Sequence, residues 1–121
     1  MIKGVKFVTV PVRDQKSAIE FWTTRVGLQI VTDQPYDDRQ RWIELGAAGH
    51  PTRIVPFELE GWDQRIGDFL NIVFYSDDVE RTYKEMSARG VEFLGTPDKR
   101  SWGTSVVFKD QDGTKFLVSS K

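Results

Sequence analysis

No cysteine occurs anywhere in the 121 residues. That excludes a disulfide scaffold, a thiolate zinc or iron–sulfur site, and a cysteine nucleophile. Histidine is nearly as scarce. His50 is the single copy, so no two-histidine metal site can be built within one chain, and a Ser-His-Asp triad would have to use this residue. His50 stands between Gly49 and Pro51, the composition of a solvated turn. An excess of one charge is also missing. Lys plus Arg number 17 and Asp plus Glu 18, for a net charge of −1, which argues against a nucleic-acid protein with its basic face. No apolar run approaches the roughly 18–20 residues of a membrane helix. Met1–Gly4 carries no charged-then-apolar leader. The expectation is a soluble, cytoplasmic chain without membrane or nucleic-acid partners. Phosphate loops, nucleophile elbows and dinucleotide fingerprints are absent as well.

What remains is an ordinary globular mix, 39% hydrophobic and 29% charged, of a length suited to a single domain over 1–121. Gly4–Val12 alternates with both faces largely apolar and reads as a strand. Asp14 stands at a helix N-cap, Ala18, Phe21, Trp22 and Val26 follow at helical spacing, and Gly27 marks the stop. Leu28–Thr32, Arg41–Leu45 and Thr52–Phe57 read as strands, with Asp33–Arg39 a polar turn. In the second half, strands are expected over Phe69–Tyr75, Val91–Leu94, Thr104–Phe108 and Lys115–Ser119. A helix spans Asp77–Ala88, with Asp77 and Glu80 spaced as a capping box, and Asp110–Gly113 is a hairpin turn. Each half therefore reads β-α-β-β-β, module one over roughly 1–60 and module two over roughly 67–121. Asp14 answers Asp78, Gly27 answers Gly90, and Phe7 answers Asn71. A ferredoxin-like sheet also has two helices, but the extra strand in each half disfavours it.

These residues resemble a known family. Val8-Thr-Val-Pro-Val-Arg-Asp14, Phe21-Trp22 and Val26-Gly27-Leu28 are similar to the opening of vicinal oxygen chelate proteins. Asp78-Val79, Arg89-Gly90-Val91-Glu92-Phe93 and Phe108-Lys-Asp110-Gln-Asp112-Gly113 are similar to their second module and closing hairpin. The superfamily includes glyoxalase, extradiol dioxygenases, fosfomycin-resistance enzymes and bleomycin-binding proteins. The resemblance implies an α+β fold, with two βαβββ modules forming a curled mixed sheet around a cavity, helices outside, completed in a homodimer. It also implies metal ligands on the first and last strands of each module. Carried over, these fall on Phe7, Asn71, Leu117 and the centre of Arg53–Phe57, which holds no carboxylate or imidazole. Phe and Leu offer no lone pair, and Asn is a weak neutral ligand, whereas a catalytic divalent ion needs about three converging protein ligands. No metal and no cofactor are expected.

If the ligand positions mark the cavity side, strand alternation adds Thr9, Trp42, Glu44 and Tyr75 to it. Phe57 is a further candidate on the fourth strand, and Trp102 is placed at the rim. The candidate ligand-binding set is thus Phe7, Thr9, Trp42, Glu44, Phe57, Asn71, Tyr75, Trp102 and Leu117. An aromatic lining with a few polar handles suits an organic ligand held by stacking and burial. The expected function is that of a metal-free protein sequestering an aromatic or amphipathic, cationic small molecule, as in the antibiotic-resistance branch. The alternative is a diverged isomerase or lyase. In it Glu44, its pKa raised by apolar burial, acts as general base. The bland reading of Glu44 is a carboxylate paired with Arg41 or Arg53. A third reading is a ligand-free interaction module with a filled interior.

Overall fold

A computed structural model describes residues 1–120. The chain divides into two compact units, Met1–Asp63 and Gln64–Lys121, each built on one four-stranded mixed sheet. Together they make the α+β fold that the sequence pattern predicts.

The first unit runs β1 (Phe7–Pro11), α1 (Gln15–Glu20), β2 (Gln29–Pro35), β3 (Arg41–Gly46) and β4 (Arg53–Phe57). Its sheet order is β1-β4-β3-β2, with β1 parallel to β4 and the other pairs antiparallel. Asp14 caps α1 by accepting from the Ser17 backbone N–H at 3.0 Å and the Ser17 hydroxyl at 2.6 Å. These two bonds hold its carboxyl below the usual carboxylate range. α1 continues as a π-helix, Phe21–Val26, and ends at Gly27, whose φ of 95° is the left-handed conformation that glycine adopts without strain. Strand alternation places Val10, Ile43, Leu45 and Ile54 on one sheet face, and all four are buried. α1 packs on β4, and Ala18, Phe21 and Trp22 complete the buried set.

The second unit runs β5 (Phe69–Tyr75), α2 (Val79–Ala88), β6 (Asp98–Arg100), β7 (Gly103–Lys109) and β8 (Lys115–Ser119). The order β5-β8-β7-β6 repeats the first sheet's topology. Its core is a chain of rings. Phe108 and Phe116 stack at 5.7 Å, Phe74 meets both, and Tyr83 and Phe93 extend the chain toward α2.

Four expectations are corrected. Val91–Leu94 is not a strand: Phe93 makes a single bridge to Phe108. Val91 is instead drawn into the helix stop by its N–H bond to the Met86 carbonyl, and the chain turns at Gly95, φ 95°. The second strand of this unit is Asp98–Arg100, exposed throughout and so invisible to alternation. Asp33–Pro35 is not a turn, because it extends β2 along Arg41–Ile43. An edge strand needs no second partner and so tolerates proline and charge. The cap of α2 is Asp78, accepting from the Arg81 N–H at 3.1 Å, rather than Asp77. The first strand begins at Phe7, leaving Gly4–Lys6 outside it.

Candidate functional site

In the first sheet, the face opposite Val10, Leu45 and Ile54 is where the unusual chemistry collects. Register pairs Phe7 with Arg53, Thr9 with Val55, and Pro11 with Phe57. The β3–β4 pairing at Leu45↔Ile54 puts Trp42 and Glu44 on this same face. The rings touch edge to face. Phe7 and Trp42 are 5.3 Å apart, Trp42 and Phe57 5.4 Å, and Tyr36 and Phe57 4.9 Å, with Tyr36 tilted over Trp42 at 6.0 Å. Such pairs contribute about 0.5–1.5 kcal/mol each beyond area burial. Phe57 is buried, Phe7 and Trp42 are half-buried, and Tyr36 is 59% exposed. The cluster therefore has a sealed base and an open rim.

Glu44 stands beside it, 5% exposed. Its Oε2 accepts from Trp42 Nε1 at 2.9 Å and its Oε1 from Arg53 Nη1 at 2.8 Å. The sequence offers two readings of Glu44, a pairing with Arg41 or Arg53 and, in the enzyme alternative, a carboxyl raised by apolar burial. The structure has the pairing, with Arg53, and not the rise. The Trp42 N–H first, then the Arg53 guanidinium, outweigh desolvation and hold Glu44 below the usual carboxylate range, with the charges of Arg53 and Lys6 adding to the effect. A carboxylate so held is a weak base, and both of its oxygens are engaged. The general-base expectation for Glu44 loses its physical premise.

Two glutamines shape the end of the sheet that bears the rings. Gln15 Nε2 donates to the carbonyls of Arg41 at 2.7 Å and Pro56 at 3.1 Å, and its Oε1 accepts from the Arg41 N–H at 3.0 Å. Gln40 brackets Glu58, donating to its carbonyl at 3.1 Å and accepting from its N–H at 2.9 Å. Both side chains are buried. Their amides join the residues flanking Trp42 and Phe57 where a backbone ladder would otherwise run.

The sequence-predicted site residues fall into two groups. Phe7, Trp42, Glu44 and Phe57 come together in the first unit, with Thr9 half-buried one step along the same face. In the second unit Leu117 lies between Val73 and Val107, and Tyr75 pairs with Ser119. Tyr75 is 62% exposed, and Trp102 is 57% exposed in the turn joining β6 to β7. Asn71 is exposed on β5 with φ 59°, at a register shift between Phe69 and Val73. Sequence reasoning missed Tyr36, Gln15 and Gln40. An aromatic within an otherwise polar turn was the available signal for Tyr36. The glutamines had none, because their partners are distant in the chain.

The metal positions implied by the family resemblance do not fit a divalent ion. Phe7 presents a ring packed on Trp42, Leu117 an alkyl chain, Asn71 a neutral amide, and the centre of β4 is the buried Val55. Among the described residues no group of three or more His, Cys, Asp or Glu is placed to hold a metal ion.

Comparison with known proteins bears on the family and the fold. The family model described as Glyoxalase/Bleomycin resistance protein/Dioxygenase superfamily matches residues 4–118. A Bacillus subtilis (strain 168) protein, "Uncharacterized protein YetH", is 41% identical over 121 residues, covering 98% of each chain. Among solved structures, TnmS3, described as an antibiotic binding protein from Streptomyces sp. CB03234, superimposes with a TM-score of 0.86 at 28% identity, covering 98% of this chain and 96% of that one. A superfamily member from Sphaerobacter thermophilus DSM 20745 gives a TM-score of 0.87 at 28% identity, covering 99% and 98%.

Proposed function

This chain belongs to the Glyoxalase/Bleomycin resistance protein/Dioxygenase superfamily, and from that premise we propose that it is a metal-independent binding protein that sequesters an aromatic organic molecule. One observation carries the proposal. Trp42 is held by its own N–H on Glu44, flanked edge-on by Phe7 and Phe57, and left half-exposed beneath the open Tyr36 ring. An indole tethered at one edge and backed by rings is a rigid platform for a flat ligand, and rigidity lowers the entropy lost on binding. The face has no cysteine or histidine and its carboxylate is a weak base, so binding uses what is there and chemistry does not. The similar fold of TnmS3, described as an antibiotic binding protein, supports a ligand of the antibiotic kind.

The test is a tryptophan-fluorescence titration of EDTA-treated protein with planar aromatic compounds such as substituted naphthalenes. Saturable quenching is expected, reduced about tenfold or more in apparent affinity by Trp42→Ala, as loss of roughly 1.4 kcal/mol or more of stacking implies. Trp62→Phe is the control and should leave the affinity within about twofold. Equal affinity in the wild type and Trp42→Ala would remove this face as the site.

A further inference from the structure

Resting on that reading, we infer that the ligand is an aromatic anion, a flat molecule bearing a carboxylate or similar group, and that Arg53 is the residue that selects it. The argument is one of unspent hydrogen-bonding capacity. Arg53 meets Glu44 through Nη1 alone. Its Nε and Nη2 have no protein acceptor among the described residues, and its side chain is 32% exposed. A guanidinium presents its donors in a fixed planar fork that matches a carboxylate at two points. The fork emerges next to the aromatic platform, because Arg53 is the register partner of Phe7, whose ring packs on Trp42.

The charges on this face point the same way. Glu44 has one oxygen on Trp42 and the other on Arg53 and is buried, so its charge is already partnered and little of it is open to a cation. Lys6 lies near enough to act on the Glu44 charge. Arg53 keeps donors beyond the one it gives Glu44, and the charge of Lys6 also acts on that carboxylate, so the field beside the rings favours an anion. A cationic ligand, one of the classes the sequence reading allows, would meet the positive charge of Arg53 with the Glu44 carboxylate already partnered.

Three probes of one shape settle the matter by calorimetry on the full chain: 1-naphthoate, 1-naphthamide and 1-naphthylmethylammonium. Naphthoate is expected to bind at least about tenfold more tightly than either of the others, and to weaken as NaCl is raised while naphthamide does not. Arg53→Gln should collapse the naphthoate-to-naphthamide ratio to within about threefold, and Arg53→Lys should restore part of it, a charge without the fork. If naphthamide or the ammonium compound binds as well as naphthoate, the anion inference is overturned while aromatic binding stands. If none of the three binds, both fall. Should Arg53→Gln fail to fold, the wild-type ranking and its salt dependence still decide.

Discussion

Trp42, Glu44 and Arg53 form a linked set whose stability depends on proton concentration. The Glu44 carboxyl titrates below its ordinary value of 4.5 in the folded chain. The unfolded chain therefore binds the proton more readily, and stability from this group is complete above that value and is lost as pH falls below it through the folded pKa. Denaturant titrations at pH 7, 5, 4 and 3 should show a decline that Glu44→Gln flattens. At pH 7 that substitution should cost about 1–3 kcal/mol, the worth of hydrogen bonds to a charged group. A Glu44→Gln profile parallel to that of the wild type would show that the carboxylate is not the acid-sensitive group. Asn71 is a residue-scale feature of another kind. Its φ of 59° lies in the left-handed region, where Asn is among the few tolerated side chains and each other residue is strained by about 1–2 kcal/mol. Alternation puts Asn71 on the expected cavity side of β5, where the structure shows it exposed, and nothing in a period-two pattern reveals that the backbone reverses hand there.

At the scale of elements, the join between β3 and β4 is the least ordinary feature. A backbone pair is made at Leu45↔Ile54, and the Gln15 side chain then supplies three hydrogen bonds to Arg41 and Pro56. Gln15→Leu should leave these backbone groups without partners and destabilise the fold by about 2–4 kcal/mol, measured by urea unfolding. It should also weaken aromatic ligands, since Trp42 and Phe57 follow those two residues in their strands. Stability unchanged within about 0.5 kcal/mol would mean that water replaces the amide. The helices were legible because their signals are local, as with Asp14 at the cap of α1 and Gly27 at its stop, although the same signal at α2 points one residue early, to Asp77 rather than Asp78. β6 was not, because Asp98, Lys99 and Arg100 carry no apolar face and become a strand only by pairing with β7.

At the scale of the whole molecule, the repeated β-α-β-β-β order and the family follow from patterns spread along the entire chain. So does the expectation about metal, because no register of the strands can bring a second histidine or any cysteine into a chain that lacks them. Calorimetric titration of chelator-treated protein with Zn, Mn, Fe(II) and Ni should show no tight one-to-one binding. A sub-micromolar site for any of them would put a metalloenzyme back in first place. Composition and short-range spacing thus reach the two helices and most of the strands, and exclude thiolate and paired-histidine ligands within one chain, since these depend on residues within a helical turn or on a simple count. The pairing of Glu44 with Trp42 and Arg53, the placing of Tyr36 over Trp42, and the Gln15 bridge are decisions of the tertiary structure. Each depends on how β3 and β4 lie against each other or against their neighbours, a register set by burial across the sheet. Burial alone would have raised Glu44, and only the folded arrangement shows that two donors reach it.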